Sequence, residues 1–129
     1  MNSAARRYAR SQSETASPER LMVLLFQAAL KNMRSGAALL TSGRFTEGAR
    51  ALLRASDIVL ELRATLCRPR APELCDKLGD IYLFVLNRLN RAALSREVQS
   101  AREAERVFAP VAQAFENAVA SLQQGAARR

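Results

Sequence analysis

Apolar positions recur at helical spacing along most of the chain and divide it into four amphipathic segments. The first runs from Pro18 to about Leu40 and is apolar around most of its circumference. Its polar residues form one narrow stripe: Arg20, Gln27, Lys31 and Arg34. A helix with so little polar surface has to be covered on more than one side. The pattern therefore predicts a first helix that is buried against at least two neighbours.

Residues 15–21 predict where this helix begins. The Ser17 side chain can accept a hydrogen bond from the first helical turn, and Pro18 suits the first helical position because its φ angle is already helical. Glu19 places a negative charge at the positive end of the helix dipole. Gly43 can take a left-handed conformation, so we expect the helix to end just before it.

Three further helices are predicted at about 47–66, 72–94 and 96–124. The third carries one continuous core stripe: Leu74, Leu78, Ile81, Val85, Leu89 and Ala92. The fourth follows alternating spacings of three and four, as the buried seam of a bundle helix does: Ala101, Ala104, Phe108, Val111, Phe115, Ala118 and Leu122. Pro110 lies inside the fourth helix and is expected to kink it, since proline has no N–H to donate.

Short turns between consecutive helices favour antiparallel neighbours. We therefore expect an all-α fold, an antiparallel up-down-up-down four-helix bundle over residues 17–125. Residues 1–16 show no periodicity and are expected to form an extended or mobile N-terminal arm that contains one aromatic residue, Tyr8. Residues 126–129 are expected to be a frayed tail.

The formal net charge is +8 with an isoelectric point near 10.9, which suits an anionic partner. The arginines, however, are spread over every segment without forming a stripe. A small basic nucleic-acid-binding helical protein is therefore the alternative interpretation. No secretory signal or apolar run long enough for membrane insertion is visible, and Cys67 and Cys75 suit reduced thiols. We expect a cytoplasmic protein.

The sequence lacks the residue types and motifs that common catalytic sites use. The chain has no histidine, no glycine-rich phosphate loop and no cysteine–histidine cluster. We therefore predict no enzyme, no catalytic residue, no metal, no cofactor and no small-molecule substrate. Apolar helix surface remains in excess, and Leu83 and Phe84 lie side by side on the polar side of the third helix. Such a pair is a candidate contact for a partner helix.

Several stretches together resemble one known family, the FliS export chaperones of flagellin. Residues 15–21 (Thr-Ala-Ser-Pro-Glu-Arg-Leu) are similar to its first-helix motif, and residues 55–62 resemble its second-helix motif. Residues 78–92 resemble the third helix, and Tyr8 stands where the family has an N-terminal tyrosine. The resemblance covers about residues 8–118.

The resemblance implies a chaperone that binds the C-terminal amphipathic segment of flagellin in hydrophobic grooves, prevents its premature polymerisation, and delivers it to the flagellar type III export gate. We expect Ile58 and Leu62 from the second helix, with Leu83 and Phe84 from the third, to contact the client. Tyr8 would mask the groove or contact the export machinery.

The sequence departs from the family pattern at several positions. Residues 70–72 replace a Gly-Gly pair, Leu83 replaces an acidic residue, Ala93 an asparagine, and Phe115 a tryptophan. A paralogous chaperone for a different flagellar client would show changes of this kind, and that interpretation stays open beside flagellin.

Overall fold

Residues 17–127 are described by the computed structural model, and they form four helices. These are α1 (Pro18–Thr41), α2 (Phe45–Ala64), α3 (Pro72–Ser95) and α4 (Val98–Ala127). Each helix packs on the next along the chain, and α4 closes the bundle by packing on α1. The predicted all-α four-helix bundle is therefore confirmed. The predicted N-terminal arm, with Tyr8, lies outside the described residues.

Local capping chemistry sets both ends of α1. The Ser17 Oγ accepts a hydrogen bond from the Arg20 backbone N–H at 3.1 Å, as predicted. At the other end Gly43 has a φ of +79°, and the Arg44 N–H donates to the Leu39 carbonyl at 2.9 Å. That reversal satisfies carbonyls that the end of a helix leaves free.

The second helix begins two residues before the predicted start at about residue 47. Phe45 is the first helical residue, and Arg44 occupies the N-cap position without a side-chain hydrogen bond to the helix. Arg44 instead pairs with Glu47 at 2.6 Å. The first turn of α2 therefore carries an ion pair and no side-chain cap.

Close backbone approach joins α1 to α2 at two glycines. A Cβ atom added at Gly36 would lie 2.6 Å from the Leu52 side chain and 3.2 Å from the Gly48 carbonyl oxygen. A Cβ atom at Gly48 would lie 3.1 Å from the Gly36 carbonyl oxygen. The two helices can pack this tightly only because neither position carries a side chain.

The polar stripe of α1 lies along its border with α4 rather than facing open solvent throughout. Gln27 donates to Glu116 at 3.2 Å, and Arg34 pairs with Glu105 at 2.8 Å. α1 packs on α2 and on α4, and these two helices cover most of its apolar surface, as its pattern predicts. Its buried residues are Val23, Leu25, Phe26, Ala28, Ala29, Met33, Gly36, Ala37 and Leu40.

The fourth helix continues through Pro110 from Val98 to Ala127. It is the longest helix, with 30 residues against 20 in α2. None of the helices formed by residues 17–127 is long and apolar enough to cross a membrane.

Candidate functional site: an apolar cavity at one end of the bundle

An open cavity of about 750 Å³ lies at the end of the bundle where α1 begins. All four helices or their connections contribute to its walls. The lining residues are Met22, Phe26, Thr65, Leu66, Cys67, Arg70, Ala71, Leu74, Cys75, Leu78, Tyr82, Pro110, Val111, Ala114 and Phe115. We call this space the end cavity. Its volume falls in the range of about 300–1,000 Å³ that is typical of ligand pockets.

Exposed apolar side chains surround the end cavity. Leu74 is 56% exposed, although it belongs to the predicted core stripe of α3. Leu78, Val111 and Phe115 are only partly buried, and Leu122, at the end of the predicted seam of α4, is 67% exposed. The other half of the same seam is fully buried at Ala101, Ala104 and Phe108. The expected burial therefore fails at one end of the bundle only.

Aromatic rings close the cavity on the side of the core. The ring centroids of Phe26 and Phe115 are 5.0 Å apart, and those of Phe26 and Phe108 are 5.5 Å apart. Tyr82 continues the cluster, 6.5 Å from Phe108. Burial raises the pKa of Tyr82 to about 12, because the phenolate would lose its hydration there. The floor is therefore apolar and uncharged at neutral pH.

An ion pair joins α3 to α4 further along the bundle, beyond the residues that line the end cavity. The Arg88 guanidinium on α3 donates to the Glu103 carboxylate on α4 at 2.7 Å. The same guanidinium lies 4.7 Å from the centre of the Phe84 ring. Phe84 and Arg88 therefore lie on the side of α3 that faces α4, outside the end cavity.

The structure separates the four predicted client contacts. Ile58 and Leu62 are 3% and 0% exposed and belong to the hydrophobic core. Neighbouring helices cover both side chains in the described bundle, and their contact with a client stays a prediction. The apolar arc of α2 is wide because it packs on both α1 and α3, and the sequence does not distinguish such an arc from a contact surface.

Leu83 and Phe84 are 48% and 37% exposed, as a contact surface requires, but neither lines the end cavity. Successive residues lie about 100° apart around a helix, so the two side chains leave α3 in different directions. Phe84 lies beside Arg88 and thus on the side of α4. Leu83 points toward the side of α2. Tyr8 lies outside the described residues.

Sequence reasoning missed the residues that form the end cavity. Leu74, Leu78 and Phe115 were assigned to the core, and Pro110 was interpreted only as a kink. The spacing of apolar residues shows which face of a helix points inward, but not whether a neighbour covers that face at a given level. The proline-containing turn at 67–72, which forms one rim, was the available indication.

The described part of the chain has few side chains suited to metal or redox chemistry. Residues 17–127 contain no group of three or more His, Cys, Asp or Glu side chains placed to hold a metal ion. Cys67 and Cys75 are free thiols, one exposed and one buried, and both line the end cavity.

The fold and the open cavity define a class of protein: an all-α four-helix bundle with an apolar surface suited to an amphipathic segment. The family model of the flagellar protein FliS matches residues 1–122. The chain therefore belongs to the FliS family, and the resemblance seen in the sequence is confirmed.

Two similar proteins agree with that assignment. The flagellar secretion chaperone FliS of Vibrio cholerae serotype O1 is 27% identical over 82 residues. That match covers 64% of this chain and 60% of the relative, so it spans less than two thirds of the relative's length. A crystal structure of a bacterial flagellar chaperone has a TM-score of 0.71 at 19% identity, over 92% of this chain and 96% of the other. This likeness supports the fold.

Proposed function

We propose that the protein is an export chaperone that binds the C-terminal amphipathic segment of flagellin and delivers it to the flagellar export gate. The observation that carries the proposal is the end cavity, where residues with core periodicity stay exposed or partly exposed in the bundle formed by residues 17–127. Membership of the FliS family and the secretion-chaperone name of the Vibrio cholerae relative support it.

The physical basis is that two exposed apolar surfaces, one on the chaperone and one on the client, bury each other. A flagellin segment that polymerises through amphipathic helices exposes apolar side chains before assembly. Docking them on Leu74, Leu78 and Phe115 removes both surfaces from water, at about 25 cal/mol per Å² of apolar area. A client that folds on binding also loses conformational entropy. This loss offsets part of the favourable free energy, so the net affinity is moderate and the client can be released.

The proposed contact surface begins at the end cavity and continues along α3 and α4 toward Phe84. Phe84 and Leu83 remain proposed contacts, although they leave α3 in different directions. Ile58 and Leu62 support the surface from inside the core. For Tyr8 we keep the proposed role of masking the groove or contacting the export machinery.

The test is a titration of the full chain with the flagellin C-terminal segment, comparing two substitutions on α3. Leu74→Asp places a charge at the mouth of the cavity and should weaken binding about 30-fold or more. Leu94→Asp is the matched control, because Leu94 is 82% exposed and does not line the cavity. Leu83→Asp and Phe84→Asp, measured separately, identify the side of α3 that the client follows.

Circular dichroism verifies that each variant keeps the helical content of the parent. Equal affinity of the parent and Leu74→Asp would contradict the cavity as the client site. If the parent fails to bind flagellin but binds the terminal segment of another flagellar protein, the paralogous chaperone is the correct interpretation.

A further inference from the structure

Among the described residues, the end cavity has one charged residue on its rim. Fourteen of the fifteen lining residues within 17–127 are uncharged, and the exception is Arg70, in the turn between α2 and α3. Arg70 is exposed and forms no ion pair or hydrogen bond through its side chain with residues 17–127. Arg68, two residues earlier, is by contrast paired with Asp76. One of the two guanidinium groups in this turn is therefore available to a partner.

A second unpaired cation lies near the mouth on α3, where Glu73 beside Leu74 is exposed as well. Lys77 lies one helical turn beyond Leu74 on α3, is exposed, and has no ion-pair partner among the described residues. Between residues 107 and 127, α4 contributes one charged residue, Glu116, and its carboxylate bonds Gln27 on the α1 side. An apolar occupant of the cavity thus meets unpaired positive charge at the rim.

The α2–α3 turn forms one wall of the end cavity, and the lining residues of α3 and α4 stand beside it. Five residues of this turn line the cavity: Thr65, Leu66, Cys67, Arg70 and Ala71. A client segment that lies over α3 and α4 in the cavity therefore meets Arg70 at this wall. A segment that ends there places its terminal carboxylate beside the guanidinium, and the planar fork of arginine can bind both carboxylate oxygens at once.

We propose that Arg70 binds the α-carboxylate of the client's C-terminal residue while the last apolar side chains of the client fill the end cavity. This rests on the proposed function, because it takes the client to be a C-terminal segment. It adds a direction of binding: the client's chain terminus lies at the α2–α3 turn, and the preceding residues run along α3 and α4 toward Phe84.

The probe is a synthetic peptide of the flagellin C-terminal segment, prepared once as the free acid and once as the C-terminal amide. Both are titrated into the full-length chain. The amide should bind about two- to fivefold more weakly than the acid, which is the range for one solvent-exposed ion pair. Arg70→Gln should weaken the acid peptide by the same factor and leave the amide unchanged, so that the two peptides bind this variant equally.

Arg68→Gln is the matched control in the same turn, and it should keep the preference for the acid over the amide. Arg70→Lys should retain part of that preference, since it keeps the charge but loses the fork. Equal binding of acid and amide to the parent would overturn the proposal, and so would an Arg70→Gln variant that loses affinity for both peptides alike. If Leu74→Asp weakened binding as expected in those cases, the proposed function would stand. If neither peptide bound the parent, both proposals would fail.

Discussion

Tyr82 shows how a single residue reports the integrity of the packed aromatic cluster. Its side chain is 3% exposed, beside Phe108, and burial raises the pKa of its hydroxyl to about 12 from a usual value of 10. A raised pKa in the folded state favours the neutral phenol. The associated stability is complete below about pH 10 and is lost as the pH rises toward about 12.

A Tyr8→Phe variant allows this pKa to be measured directly, because it leaves Tyr82 as the one tyrosine in a chain without tryptophan. Absorbance at alkaline pH should show ionisation near pH 12 in buffer, or together with unfolding, and near pH 10 in concentrated urea. Ionisation near pH 10 while the helices remain intact would contradict the burial of this hydroxyl.

At the scale of the elements, the close contact between α1 and α2 at Gly36 stabilises the bundle, and it lies away from the end cavity. Gly36→Ala would place a methyl group 2.6 Å from the side chain of Leu52, which is fully buried and would have to shift. We expect a net destabilisation of about 1–3 kcal/mol by overpacking, although alanine favours the helix by about 1 kcal/mol over glycine. Urea unfolding measures the difference.

Gly125→Ala is the comparison, because nothing lies within 4 Å of the added methyl group in α4. It should leave stability unchanged or raise it by up to about 1 kcal/mol through helix propensity alone. An increase in the urea midpoint for Gly36→Ala would mean that the two helices can separate without cost.

The helix starts and the buried face of each helix were predictable, and the open end was not. Ser17 and Gly43 act through neighbours within a few residues, so the sequence contains the whole of their chemistry. Phe108 is buried as its spacing predicts, yet Phe115, two turns later in the same seam, is only partly buried. The difference in burial between these two residues depends on whether another helix covers α4 at each position.

At the scale of the molecule, much of the positive charge is neutralised within the fold. Six arginines in residues 17–127 pair with carboxylates: Arg34, Arg44, Arg68, Arg88, Arg91 and Arg102. Arg96 lies over the Phe45 ring at 4.3 Å. The net charge of +8 is therefore not gathered into one surface by the described residues.

The dependence of binding on salt distinguishes the proposed chaperone from a nucleic-acid-binding protein. Affinity for the flagellin segment should fall by less than about tenfold between 50 and 200 mM salt, since a single ion pair contributes and burial of apolar area is insensitive to salt. Binding of DNA through many phosphates would fall by about a thousandfold or more over that range. Titrations at both concentrations decide between the two, and a steep loss for flagellin would contradict docking in an apolar cavity.

The position of the two cysteines gives the natural chain a chemical reporter of its own. Cys67 and Cys75 are the only cysteines in the sequence, and both line the end cavity, the first exposed and the second buried. A maleimide or disulfide reagent therefore reacts at the cavity without any engineered residue. The rate at which Cys67 is labelled becomes a footprint of occupancy, and a fluorophore attached there records the arrival and departure of a client in real time.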